Sequence, residues 1–140
     1  MEHINSSGFI EMIDAACGLF LKAGFCRRNE LDTITATYVS AIFQKNDLWL
    51  DIYFEVPDQS VFAYISGEDG LAAGRRGDTS RSIPVDYNHM SKINPFLSRH
   101  FEKTPSDRNV GERVQYIASL IFSSTTLLEN KSALFRRMQN

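Results

Sequence analysis

Six carboxylates and no Lys or Arg lie between Asn46 and Gly74: Asp47, Asp51, Glu55, Asp58, Glu68 and Asp69. Two of them sit on a segment that alternates. Leu50, Ile52, Phe54 and Val56 fall on one side of an extended chain, and Trp49, Asp51, Tyr53 and Glu55 on the other. Asp51 and Glu55 are four residues apart, about 13 Å along a strand. That spacing is too wide for a carboxylate pair to act on one bond. It suits an interface better. Trp and Tyr bury much area with little loss of rotamer freedom and keep a polar handle. Carboxylates beside them steer a basic partner. The expected contact set is Asp47, Trp49, Asp51, Tyr53, Glu55 and Asp58. The same pattern also serves a half-solvated strand whose acids keep a sheet soluble.

Other chemistry is sparse. His3, His89 and His100 have no ligand spacing among themselves or with Cys17 and Cys26. Two cysteines are too few for a disulfide framework. No phosphate-binding glycine motif, dinucleotide fingerprint or nucleophile elbow occurs. The expectation is a protein with no catalytic residues, no cofactor and no metal. Arg75, Arg76 and Arg81 form a basic loop, which either solvates the segment or takes phosphate groups. Arg76-Gly77-Asp78 reads as a turn.

Composition is that of an ordinary folded globular protein and by itself names no function. The 140 residues are 43% hydrophobic and 23% charged, enough for one domain, 1–140, with a proper core. A net charge of -2 argues against direct nucleic-acid binding. No apolar run reaches the roughly 18 residues that span a bilayer. No basic segment precedes the first apolar stretch, so the expected setting is cytoplasmic, with free thiols and no membrane contact. The expected assembly is a monomer or weak dimer.

The elements that must position the acidic strand follow from periodicity. Phe9, Ile13, Ala16, Cys17, Phe20 and Leu21 recur at helical spacing, with Ser6 or Ser7 as cap and Gly24 as stop. Gly18 weakens that helix and suits a close crossing on a sheet. Thr33–Phe43 reads as a strand, Gln44–Asp47 as a turn, Leu48–Val56 as a second strand, and Val61–Ser66 as a third after Pro57–Ser60. Gly67–Ser82 reads as a mobile, protease-sensitive loop. Ile83–Tyr87 is a short strand that Pro84 places at an edge or puts at its own start. Ser91–Phe101 is a short helical candidate. Val110–Leu128 is a long helix, capped by Asn109 with Glu112 three residues on. Leu134, Phe135 and Met138 suggest a last turn that returns to the core. The expected fold is α+β: an N-terminal helix, an antiparallel meander of about four strands, and C-terminal helices on one sheet face. Its predicted core is Phe9, Ile13, Phe20, Ile52, Phe54, Val114, Ile117 and Ile121.

The order of features resembles a known group. A helix ends in Gly24-Phe25. A strand and polar turn lead into Leu48-Trp49-Leu50-Asp51-Ile52-Tyr53-Phe54-Glu55, and Val61-Phe62-Ala63-Tyr64-Ile65 follows. After the long helix comes Leu127-Leu128-Glu129-Asn130-Lys131-Ser132-Ala133-Leu134-Phe135. This pattern resembles the small bacterial immunity proteins of polymorphic or contact-dependent toxin systems. Asn130-Lys131 stand where that pattern carries Gly-Asp. The resemblance implies an inhibitor that binds a toxin domain and blocks its active site; it transfers no site residue. The leading helix and sheet also resemble type III secretion chaperones, which dimerise and hold an effector segment. That fold would need a helix between strands in the C-terminal half, where this chain has one long helix.

Overall fold

A computed structural model describes residues 3–70 and 81–139. The expected loop Gly67–Ser82 falls mostly outside the described residues, as do Arg75 and Arg76.

Asn5, not Ser6 or Ser7, starts the first helix: its Oδ1 accepts from Gly8 N at 2.8 Å. The serines are engaged elsewhere, Ser6 Oγ donating to the Thr35 carbonyl and Ser7 Oγ to Asn5 Oδ1. The predicted single helix is two, α1 (Ser6–Ala15) and α2 (Cys17–Lys22), because the chain tightens at Ala16. Gly24 does end α2, at φ +91°, where an L side chain is strained and a Cβ would meet the Lys45 stem. Gly18 has nothing within 4 Å of its would-be Cβ, so no close crossing explains it.

The segment Thr33–Phe43 is also divided. β1 (Cys26–Arg27) and β2 (Thr33–Ile34) both pair antiparallel with β3 (Tyr38–Lys45). Thr35 causes the reversal. Its Oγ1 accepts from Tyr38 N at 3.0 Å and from Thr37 N at 3.3 Å, an alternative to the ladder that an extended chain would offer. A two-residue turn with Asn46 at φ +55° leads to β4 (Leu48–Glu55), and a second turn to β5 (Ser60–Ser66). β6 (Ser82–Pro84) closes the sheet in the order β1-β3-β4-β5-β6, with β2 also on β3. Pro84 lies on that edge strand, as expected. The strand is shorter than predicted because Asp86 accepts from His89 N at 2.8 Å and caps α3 (Tyr87–Ile93). This helix replaces the one expected over Ser91–Phe101, which Pro95 interrupts.

α4 (Val110–Ser123) begins on the Asn109 cap, Oδ1 accepting from Glu112 N at 3.4 Å. It ends five residues before the predicted Leu128. In the run Ser123-Ser124-Thr125-Thr126, the Thr125 hydroxyl donates back to the Phe122 carbonyl at 2.8 Å, and a 3₁₀ turn follows. α5 (Lys131–Gln139) returns to the core through Leu134.

The fold is α+β, with helices before and after an open antiparallel sheet in the chain. All eight predicted core residues are at most 1% exposed. Every strand residue in the main core cluster comes from one sheet face: Val39, Ala41 and Phe43; Leu48, Leu50, Ile52 and Phe54; Val61, Ala63 and Ile65; Ile83. The helices therefore meet that face.

Tyr116 ties α4 to the preceding loop, its hydroxyl donating to the Phe101 carbonyl at 2.6 Å. Burial holds this phenol above its ordinary pKa. The neutral phenol is the form that folding favours. Its contribution is present below the ordinary value and is lost as pH rises through the raised one. Tyr116→Phe is expected to cost about 1–2 kcal/mol at neutral pH and to remove that alkaline loss. Urea unfolding of both proteins at neutral and alkaline pH measures it; equal stability at neutral pH would show the bond contributes nothing.

Candidate protein-binding face of the sheet

Register places the second face in rows. Tyr38, Glu55 and Ser60 lie side by side, then Ser40, Tyr53 and Phe62, then Ile42, Asp51, Tyr64 and Pro84, then Gln44, Trp49, Ser66 and Ser82. Alternation thus brings Trp49, Asp51, Tyr53 and Glu55 to one face, opposite the helices. The face divides into a half-exposed end and an end where Ile42, Asp51, Trp49, Ser66 and Ser82 are buried while Gln44, Tyr64 and Pro84 stay half-exposed.

The half-exposed end holds Glu55, Ser60 and a row of rings. Tyr38 and Tyr53 have centroids 5.5 Å apart, and Tyr53 and Phe62 6.5 Å. These tilted contacts cross three strands and fix the rings in place.

At the more buried end Asp51 is 2% exposed and Trp49 7%. Both differ from the open positions expected of them. Asp51 accepts from the Ser40 hydroxyl at 2.6 Å, across the β3–β4 pair. Trp49 lies under the Arg28 guanidinium, 5.4 Å from the ring, and Arg28 is itself held by Gln44 and Glu30. The bond to Arg28 keeps the Glu30 carboxyl below its ordinary pKa. Ile42 and Trp49 are buried yet stand outside the core cluster behind the sheet.

The strand-end acids lie far apart. Asp47, in the β3–β4 turn, accepts from Lys131 N at 2.7 Å, so it caps α5 from another part of the chain. Asn46 Nδ2 donates to the Glu129 carbonyl at 2.8 Å, and Lys45 Nζ to the Thr125 carbonyl at 3.1 Å. Burial lowers the Lys45 pKa, opposed by the charge of Glu129. Asp58 is exposed at the other end of β4, in a polar cleft with His3, Asp107 and Arg108. Of the six expected contact residues, Tyr53, Glu55 and Asp58 are therefore within reach of a partner at one end of the face. Asp47 is occupied as a cap, and Trp49 and Asp51 are largely covered.

Two rings of the half-exposed end, Tyr38 and Phe62, lie outside the expected contact set. The signal existed: carrying the β4 alternation through the two turns puts Tyr38 beside Glu55 and Phe62 beside Tyr53. The turn lengths, which set the register, were the missing step.

Among the described residues no group of three or more His, Cys, Asp or Glu is placed to hold a metal ion. Among them, too, no helix is long and apolar enough to cross a membrane. No protein-family model, curated protein or solved structure matches this chain.

Proposed function

We propose that this chain is a non-catalytic, cytoplasmic protein-binding module, an immunity protein that neutralises a bacterial toxin by covering its active site. One observation carries the reading. The sheet residues that face the helices form the core, while the opposite face presents a fixed row of Tyr38, Tyr53 and Phe62 beside Glu55. Rigid aromatic side chains supply contact area at low entropic cost. Glu55 and Asp58 belong to a stretch without Lys or Arg and favour a basic partner. A toxin domain that acts on nucleic acid offers such a surface, and carboxylates can stand there in place of phosphates.

The test is the double substitution Glu55→Lys with Asp58→Lys. Asp51 is left alone, because its burial would make a lysine there a folding defect. Where a toxin domain is encoded beside this gene, binding to it is measured by titration calorimetry and stopped flow. The expected loss is about 2 kcal/mol or more, with slower association, and the melting temperature of the free protein is unchanged. Unaltered affinity in a folded variant would remove this face from the interface.

A further inference from the structure

Phe96 is 93% exposed, the most exposed large apolar side chain among those described, yet its backbone is held in place. Its N–H donates to Asn94 Oδ1 at 3.1 Å, and the next residue, Leu97, is buried and donates to the Asn94 carbonyl at 3.1 Å. The Asn94 carboxamide also reaches the other way. Its Nδ2 donates to the Ser123 carbonyl at 3.2 Å and lies 3.3 Å from Ser124 Oγ. Ser123 stands at the end of a groove between α2 and α4, a space of about 550 Å³ whose apolar lining is Leu19, Ala118 and Phe122. Leu19 and Phe122 are 40% and 56% exposed. An exposed ring on an anchored backbone and an open groove thus lie on either side of one carboxamide, that of Asn94.

We propose that this surface pairs two copies of the chain about a two-fold axis, each seating Phe96 in the α2–α4 groove of the other. Self-complementarity is what such an axis demands, because the same patch must supply both knob and hole. The area is of the right order. An aromatic side chain buries about 150–250 Å². Weighted by their exposure, Phe96 and Phe122 from two copies then cover about 450–750 Å², roughly half or more of the apolar area in a stable two-chain interface. Leu19, Gln115 and Ser119 extend the contact around it. The groove lies on the helical layer, so pairing leaves the aromatic sheet face of each copy accessible. The inference is independent of the function proposed above.

Sedimentation equilibrium of the full chain, up to about 500 µM, reads the association. Wild type is expected to dimerise, and Phe96→Ser to weaken dimerisation at least about thirty-fold without changing the melting temperature. An isotope-filtered NOE between the Phe96 ring of one copy and the Leu19 methyls of the other, in a mixed-label sample, is expected at the same concentration. A wild-type chain that stays monomeric throughout would overturn the proposal. So would a dimer that neither Phe96→Ser nor Phe122→Ser weakens. Toxin-domain binding by Phe96→Ser is expected to match wild type, which separates this test from that of the sheet face.

Discussion

Phe54→Ala is expected to lower the free energy of unfolding by about 3–5 kcal/mol. Phe54 lies on β4 between Val39 and Val61 and is fully buried. Its ring stacks on Phe9 of α1, with centroids 4.4 Å apart and planes 7° from parallel. Truncation removes the transfer energy of the ring and leaves a cavity that two rigid layers cannot close, since the sheet and α1 are each held by their own hydrogen bonds. The midpoint of urea unfolding should fall while the m-value stays constant. A loss under about 1 kcal/mol would mean that the site collapses around the smaller side chain or that β4 presents its other face to the core. The double variant with Phe9→Ala should cost less than the two single changes added, because both remove the same contact. Phe54 stands between Tyr53 and Glu55, so this packing also decides which way the candidate binding residues point.

Asp32→Ala is expected to cost a similar amount, about 3–5 kcal/mol, through a charge left without its partner. The Arg27 and Asp32 side chains are 10% and 6% exposed. They meet in a two-pronged contact, Arg27 Nη1 to Asp32 Oδ1 at 2.7 Å and Nη2 to Oδ2 at 2.5 Å. Burial acts to lower the Arg27 pKa, but its bonds and attraction to Asp32, aided by Asp14, carry it above its ordinary value. Both partners also grip β3: Arg27 Nη1 donates to the Ile42 carbonyl at 3.1 Å, and Ile42 N donates to Asp32 Oδ1 at 3.0 Å. Removing Asp32 strands the guanidinium over Phe43, where Asp14, 59% exposed, is a poor replacement. Exchanging both residues for apolar ones should cost less than removing Asp32 alone, because no buried charge is then orphaned. Denaturant unfolding of the single and paired variants reads the difference. A single-variant loss below about 1 kcal/mol would show that water reaches Arg27 and solvates it. The pair secures β1 and the Asn29–Leu31 turn on the β3 edge, and so sets Arg28 above Trp49.

Local pattern determined much of this protein. Apolar residues at helical spacing marked Phe9, Ile13 and Phe20, and Val114, Ile117 and Ile121, as core, because a helix must bury its stripe. Strict alternation sorted β4 into a buried side and an opposite side, because successive strand side chains point in opposite directions. Gly24, Asn109 and Pro84 marked two helix ends and an edge strand through conformational rules that act within a few residues. What only the tertiary structure decided depends on partners distant in the chain. Asp47 became a helix cap because Lys131, 84 residues away, brought its N–H to it. Arg27 and Asp32 became a buried pair once β1 and β2 shared the edge of β3. The alternating face of β4 was legible as a face, but not its division into a half-exposed end and a more buried end. Ser40, Gln44 and Arg28 converge on Asp51 and Trp49 from other segments, and burial is a property of those neighbours. Side-chain period is local to a strand; the surroundings of each side chain are set by register and packing, which no local period encodes.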